Sequence, residues 1–170
     1  MKRKIAAGSV AASVLVALSL VVASAAMKAD FSGKWTMDKA KSEGVPPGME
    51  QTLTITQTGD KIDLETKITG GPMGDRVVKD TYTADGKEID FTPPVPQGIT
   101  GKGKRTTKWT ADGMGLEVSE TATLDGPNGS EDVSATRKWT LAADGKTLTI
   151  ELSVRGSEIS QQSKRVFVKQ

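Results

Sequence analysis

A strand–turn–strand unit recurs four times in this chain, and it restricts the fold more than any other feature. The residue pairs at the centres of the turns are Gly59-Asp60, Asp85-Gly86, Asp112-Gly113 and Asp144-Gly145. Apolar residues alternate with Thr or charged residues on both sides of each turn, as in RKWTLAADGKTLTIEL over 137–152. Alternation around Asp-Gly is the strongest short-range signal of a β-hairpin. The sequence therefore predicts four hairpins.

The chain after residue 26 continues this alternation and predicts ten strands. Their approximate ranges are 31–38, 50–58, 61–69, 76–84, 87–92, 104–110, 115–124, 131–141, 146–155 and 159–169. The best helical candidate, 38–43, ends after about one turn because Pro46 and Pro47 cannot continue a helix. A long antiparallel sheet with free edges invites aggregation, so we expect the sheet to close. The predicted fold class is all-β, a single antiparallel up-and-down meander of about ten strands closing into a barrel.

The connections between the predicted strands fall into two alternating sets. Short Asp-Gly turns follow the even-numbered strands up to the eighth, and longer loops rich in Gly and Pro follow the odd-numbered ones. Successive turns of a meander lie at opposite ends of the sheet, so one end is closed tightly and the other carries the long loops. The tight-turn end receives most of the large aromatic residues: Trp35, Tyr82, Trp109, Trp139 and Phe167. We expect these rings to form an aromatic floor beneath a mouth rimmed by loops.

One face of each predicted strand is apolar, and the other carries Thr, Lys, Asp and Glu. This alternation is typical of a sheet with one buried and one solvated face. Phe91 is expected inside, near the mouth. The aliphatic residues expected inside are Leu53, Ile55, Ile62, Leu64, Ile68, Ile89, Leu116, Val118, Val133, Ala135, Leu148, Ile150, Leu152 and Val154.

The first 26 residues have the pattern of a secretory signal peptide. Three basic residues at 2–4 precede an apolar run over 5–22, and Ala-Ser-Ala at 23–25 supplies a cleavage site. Cleavage after Ala25 and cleavage after Ala26 fit this pattern equally well. No Cys follows the apolar run, so we expect no lipid anchor. The sequence predicts an exported protein, periplasmic or secreted, with one barrel domain over 27–170.

Composition excludes several classes of function. Three of the 23 basic residues lie in the predicted signal peptide, so the remaining chain carries 20 basic and 21 acidic residues and a net charge of −1. That balance gives no electrostatic reason to expect nucleic acid. The chain contains no His and no Cys, which excludes a Ser-His-Asp triad, thiol nucleophiles, disulfides and the usual zinc sites. We therefore expect no cofactor, no metal site and no enzyme activity.

Two loop sequences are superficially similar to ligand-binding motifs. GKGKR at 101–105 lacks the spacing of a phosphate-binding loop, and we interpret it as a mobile basic loop. Acidic residues and Asn over 125–132 lack the order of a calcium-binding loop. The Asp-Gly-Pro-Asn-Gly segment within them is ordinary turn chemistry. Neither loop is predicted to be a site.

The opening of the mature chain resembles a known family. Gly33 and Trp35 form the G-x-W motif that opens lipocalins and their calycin relatives. The segments FSGKWTMDKAKS, YTADGKE, WTLAADGKTLTI and KRVFVK resemble a group of exported bacterial lipocalin-like proteins. The resemblance implies a lipocalin-like barrel whose lumen binds a small apolar or amphipathic ligand. It also implies that Trp35 packs beneath an Arg near the chain end, with Arg165 as the first candidate and Arg155 as the second.

Charged residues occur on the inward face of the predicted strands. Glu120 and Arg137 lie on adjacent strands, and a pairing whose residue numbers sum to 255 or 257 makes them diagonal or directly opposite. Asp80 and Gln57 fall on the same face and extend the set. One interpretation is a polar handle in the lumen, with Arg137 binding a ligand carboxylate. The other is a structural ion pair that neutralises two inward charges.

Two functions from different classes fit this sequence. The first is an exported module that binds a small hydrophobic or amphipathic ligand in the barrel lumen. The second is a structural or protein-interaction barrel whose interior is filled by its own side chains, since aromatic residues make up only 4% of the chain. The two differ in whether a cavity of about 300 Å³ or more opens toward the long loops.

Overall fold

Ten antiparallel strands form the structure, a computed structural model that describes residues 28–71, 74–95, 98–127, 129–157 and 159–170. They are β1 (Gly33–Met37), β2 (Glu50–Thr58), β3 (Lys61–Thr69), β4 (Arg76–Thr83), β5 (Asp85–Phe91), β6 (Thr100–Trp109), β7 (Gly115–Gly126), β8 (Gly129–Leu141), β9 (Thr147–Arg155) and β10 (Ser160–Lys169). Their order in the sheet is β4-β3-β2-β1-β10-β9-β8-β7-β6-β5. Because β1 pairs with β10, the meander curls into a nearly closed barrel. The predicted fold class is confirmed.

The predicted signal peptide, residues 1–26, lies outside the described residues. Within the described part of the chain, no helix has the length and apolar character needed to cross a membrane. The short helical candidate at 38–43 is a hydrogen-bonded turn, in which the Asp38 carbonyl accepts from the N–H of Lys41.

The predicted hairpin at Asp85-Gly86 is wrong, because no ladder pairs β4 with β5 in the described residues. Hydrogen bonding between β3 and β4 instead continues past the end of β4, since the N–H of Ala84 donates to the carbonyl of Asp60 at 2.8 Å. Strand β5 instead pairs with β6, and its register shifts between Asp85 and Glu88. The chain reverses at this turn, but the two strands separate at once. The barrel is therefore open between β4 and β5, and we call this opening the β4–β5 gap.

Strand β6 begins earlier than predicted and includes the segment expected to be a mobile loop. It pairs with β7 from Thr100 to Trp109 without interruption. A Cβ atom at Gly103 would lie 2.5 Å from the Phe91 ring, and one at Gly101 would lie 2.6 Å from Pro93. The two glycines thus leave room on the inner face for bulky residues on and after β5.

The aromatic floor is present at the tight-turn end. Phe31 is fully buried there, stacked on Trp109 with ring centroids 6.0 Å apart and edge-on to Trp139 at 5.7 Å. Tyr82 packs edge-on against Trp139 at 5.5 Å. Trp35 and Phe167 complete the cluster. Packing of these rings against one another closes this end of the barrel.

Most of the expected interior residues face inward and are buried or half-buried. The buried ones are Leu53, Ile55, Ile62, Ile68, Leu116, Val118 and Leu148. The half-buried ones are Leu64, Phe91, Val133, Ala135, Ile150, Leu152 and Val154. Ile89 is an exception and is 43% exposed. It shares the inner face with Arg105, but no described strand pairs with β5 on its other side.

Candidate functional site

A cavity of about 340 Å³ lies above the aromatic floor, and we call it the lumen cavity. Tyr82, Trp139 and Phe167 form its base, and Pro94 and Val95 of the β5–β6 loop contribute to its upper wall. The aliphatic part of the wall is formed by Leu53, Leu64, Ile68, Val78 and Ile150. A volume of about 300–1,000 Å³ with mainly apolar walls is typical of a small-molecule site.

A chain of alternating charges runs along one side of the lumen cavity. Arg105 donates from Nε to Glu120 at 2.7 Å, and its Nη1 and Nη2 atoms donate to the two oxygens of Asp80 at 2.7 and 2.9 Å. Glu120 uses its other oxygen to accept from Arg137. Arg105 and Glu120 are only 5% and 6% exposed, so both charges depend on these partners. This series of ion pairs, which we call the charge chain, connects β4, β6, β7 and β8 and crosses the β4–β5 gap.

Arg105 is also held between two rings. Its guanidinium carbon lies 4.7 Å from the ring centroid of Tyr82 and 4.5 Å from that of Phe91. Burial acts against the charge, but the hydrogen bond with Asp80 and the nearby negative groups outweigh it, so the pKa of Arg105 is raised. Stacking on aromatic faces and bidentate bonding to a carboxylate are both favoured by a planar guanidinium.

The predicted pairing of Glu120 with Arg137 agrees with the observed register. Glu120 lies opposite Ala135 and Arg137 opposite Val118, so the numbers sum to 255 and the two charges are diagonal neighbours. The central member of the charge chain, Arg105, was missed by the sequence analysis. The Asp112-Gly113 turn places Trp109 opposite Leu116, and the same register puts Arg105 opposite Glu120. The register set by this turn is therefore the sequence signal that could have identified Arg105 as a partner of Glu120.

The structure places the other predicted lumen residues as follows. Asp80 and Arg137 line the lumen cavity, whereas Glu120 is buried beneath the two arginines that it binds. Phe91 lies at the β4–β5 gap, in a groove that also contains Asp80 and Arg105. Gln57 lies at the tight-turn end instead, accepting from the N–H of Phe31 and donating to the carbonyl of Ala29. Gln57 therefore holds the N-terminal segment against the floor.

The G-x-W motif has a clear structural role, but the cation over its tryptophan was wrongly assigned. Lys169, not Arg165, lies over the Trp35 ring, with Nζ 5.2 Å from the centroid. Gly33 provides the space, since a Cβ atom there would lie 2.8 Å from Cε of Lys169. Arg165 lines the lumen cavity and donates to the side-chain oxygen of Gln51 at 3.2 Å. Arg155, the second candidate, is exposed.

Burial of Tyr82 at the cavity base makes the stability of the protein depend on pH in the alkaline range. It is the single tyrosine of the chain, and burial raises its pKa well above the ordinary value of about 10. The folded state keeps the phenol proton at a pH where the unfolded chain loses it. The contribution of the Tyr82 phenol to the free energy of unfolding is therefore complete below about pH 10. Above that pH it decreases by about 1.4 kcal/mol per pH unit.

We expect the ultraviolet absorbance of tyrosinate to appear only when the protein unfolds at alkaline pH. The Tyr82→Phe variant should lose less stability than the wild type over the same pH range. Titration of the folded wild type near pH 10, with its circular dichroism unchanged, would contradict burial of this phenol.

Comparisons with known proteins complete the description of the site. No protein-family model matches the sequence, and no curated protein matches it. Among solved structures, the chain is similar to zebrafish ileal bile acid-binding protein, crystallised in complex with cholic acid. The two sequences are 18% identical, the alignment covers 82% of this chain and 98% of the zebrafish chain, and the TM-score is 0.49. We therefore infer function from the geometry of the cavity itself.

Proposed function

We propose that this protein is an exported binding protein that holds a small hydrophobic or amphipathic molecule in its barrel lumen. The observation that supports the proposal best is the lumen cavity, whose volume of about 340 Å³ lies within the range of small-molecule sites. An interior filled by its own side chains leaves little space, so the cavity favours ligand binding over a purely structural barrel. Export is supported by the charged, apolar and Ala-Ser-Ala pattern of residues 1–26.

The composition of the wall indicates binding of an apolar body. Leu64, Val78 and Ile150 line the cavity and are only half-buried, although they face the interior. A ligand that covers such surface gains about 25 cal/mol for each Å² of apolar area removed from water. The rigid ladders around the cavity also reduce the ordering cost of binding.

Several features support binding rather than catalysis as the role of the cavity. The chain has no His or Cys to act as a general base or nucleophile. The carboxylate oxygens of Asp80 and Glu120 are occupied by bonds from Arg105 and Arg137. Burial raises the pKa of the Tyr82 phenol further above neutral pH, which makes it a poorer candidate for a base. No base is left poised at the cavity among these groups.

Two adjacent valines of β4 provide a matched test of lumen binding. Val78 lines the cavity, whereas Val77 is on the outer face and is 54% exposed. The Val78→Trp variant fills the cavity with a ring, and Val77→Trp adds the same ring outside. The reporter is the neutral fluorophore N-phenylnaphthylamine, titrated into protein purified without detergent. We expect Val77→Trp to bind it like the wild type and Val78→Trp to bind at least about tenfold more weakly.

Equal binding by the two variants would place the fluorophore outside the lumen and contradict the proposal. Absence of binding by the folded wild type would contradict it as well. Melting curves of both variants show whether each is folded, and a smaller Val78→Leu change tests the same wall if the larger one prevents folding.

A further inference from the structure

The wall of the lumen cavity carries more positive charge than the described residues neutralise. The charged groups in or next to the cavity are Arg76, Arg105, Arg137, Arg165, Asp80 and Glu120. Both carboxylates are already bound, since Asp80 pairs with Arg105, and Glu120 pairs with Arg105 and Arg137. An excess of two positive charges therefore remains at this wall.

Arg165 is the least compensated of these groups. Its Nη1 donates to Gln51, but its Nε is buried and finds no acceptor among the described residues. None of the carboxylates in the described part of the chain forms an ion pair with Arg165 or Arg76. Burial, together with repulsion from Arg137 and Arg76, lowers the pKa of Arg165. Arg165 is half-buried, and a cation partly removed from water without a counter-ion is costly unless an anion joins it.

A second unpaired donor lies on the same wall. Nε1 of Trp139 is buried without an acceptor in the described residues. Trp139 and Arg165 both lie directly opposite Ile150, one on each side of β9, and all three line the cavity. Two donors without acceptors among the described residues, on the two strands that flank β9, indicate a site for an acceptor-rich group.

We propose that the lumen ligand is an anionic amphiphile, whose acidic headgroup binds at Arg165 with Arg137 and Arg76 nearby, and whose apolar tail lies along the aliphatic wall. This inference rests on the proposed function and names its ligand class. A carboxylate or another small acidic group supplies the acceptors that Arg165 lacks. A neutral ligand leaves the positive charge uncompensated, and a cationic ligand increases the repulsion.

A series of ligands with one tail and three headgroups tests the proposal. Laurate, dodecanol and dodecylamine share the same alkyl chain and differ at neutral pH in being anionic, neutral and cationic. Each displaces bound N-phenylnaphthylamine from the wild-type protein if it enters the lumen. We expect laurate to bind about 10- to 100-fold more tightly than dodecanol, and dodecylamine to bind most weakly.

Two adjacent residues of β10 provide the matched variants. Arg165→Gln removes the inward charge, and Lys164→Gln removes one positive charge from the outward face of the same strand. We expect Arg165→Gln to lose most of the laurate preference while dodecanol affinity stays within about twofold of the wild type. Lys164→Gln should retain the preference. A purely structural role for Arg165 would weaken both ligands together.

The melting temperature gives an independent measurement. Since Arg165 lacks a carboxylate partner in the described residues, Arg165→Gln is expected to leave the ligand-free melting temperature unchanged or to raise it. The headgroup series on the wild type remains decisive if the variant does not fold.

Equal affinities for laurate and dodecanol in the wild type, or an undiminished laurate preference in folded Arg165→Gln, would overturn the anionic assignment and leave lumen binding intact. Failure of all three compounds to displace the reporter, or failure of the reporter itself to bind, would instead contradict the proposed function.

Discussion

Replacing Arg105 with Met is expected to destabilise the protein by about 3–5 kcal/mol, measured as the free energy of unfolding in urea. The guanidinium of Arg105 is 5% exposed and binds Glu120 and Asp80 at once. Its removal leaves Glu120 buried with Arg137 as its remaining partner, and leaves Asp80 without an ion pair among the described residues. The variant also loses the only guanidinium bridge that the described residues place across the β4–β5 gap.

The same change at Arg137 provides the comparison. Arg137 is 24% exposed, and Glu120 keeps its bond to Arg105 when Arg137 is replaced. We expect Arg137→Met to cost about 1–2 kcal/mol, typical of one charge-assisted hydrogen bond. Lys104→Met, next to Arg105 on the outer face, should unfold at the urea concentration of the wild type. A larger loss for Arg137→Met than for Arg105→Met would show that the charge chain is not centred on Arg105.

Replacing Trp139 with Ala is the second change with a large expected effect, about 3–5 kcal/mol. Trp139 is 1% exposed, and its ring contacts both Phe31 and Tyr82 edge-on. Truncation leaves a void beneath the lumen cavity that the surrounding strands cannot close, because their ladders fix their spacing. Urea unfolding measures the loss, and near-ultraviolet circular dichroism should lose the signal of the packed rings.

The control for this prediction is the next residue of β8. Thr140 is exposed on the outer face, so Thr140→Ala is expected to change the free energy of unfolding by less than about 0.5 kcal/mol. Trp139→Phe should cost less than Trp139→Ala, since it keeps a ring and gives up no hydrogen bond made to the described residues. If Trp139→Ala and Thr140→Ala were equally stable, the aromatic floor would not be a major source of stability.

The sequence predicted the strands well where turn and alternation agree. Gly59-Asp60 sets the β2–β3 hairpin, because Gly59 adopts φ +60° and the flanking residues alternate on both sides. Asp85-Gly86 carries the same signal, but the strands that it joins do not pair. A turn motif encodes local reversal of the chain. Whether the strands then stay adjacent depends on closure of the whole sheet, which no local pattern records.

Only part of the candidate site could be predicted, because some of its contacts follow from local patterns and others do not. The pairing of Glu120 with Arg137 follows from parity and a short connection, and both are local. Arg105 was hidden because Gly101 and Gly103 interrupt the apolar alternation of β6. Lys169 and Arg165 share one face of β10, so the sequence alone could not show which of them reaches Trp35. Which of these two cations reaches the Trp35 ring depends on side-chain length and on the space around the ring.

In the described residues, the β4–β5 gap interrupts the ring of main-chain ladders around the barrel. In the described chain, all nine junctions between neighbouring strands are main-chain ladders, whereas the outer margins of the curled sheet face each other without one. Arg105 of β6 bridges this opening through its bonds to the Asp80 carboxylate and the Thr81 carbonyl of β4. Separation of these two margins would therefore break none of the nine main-chain ladders, and its cost would lie in the side-chain contacts of Arg105.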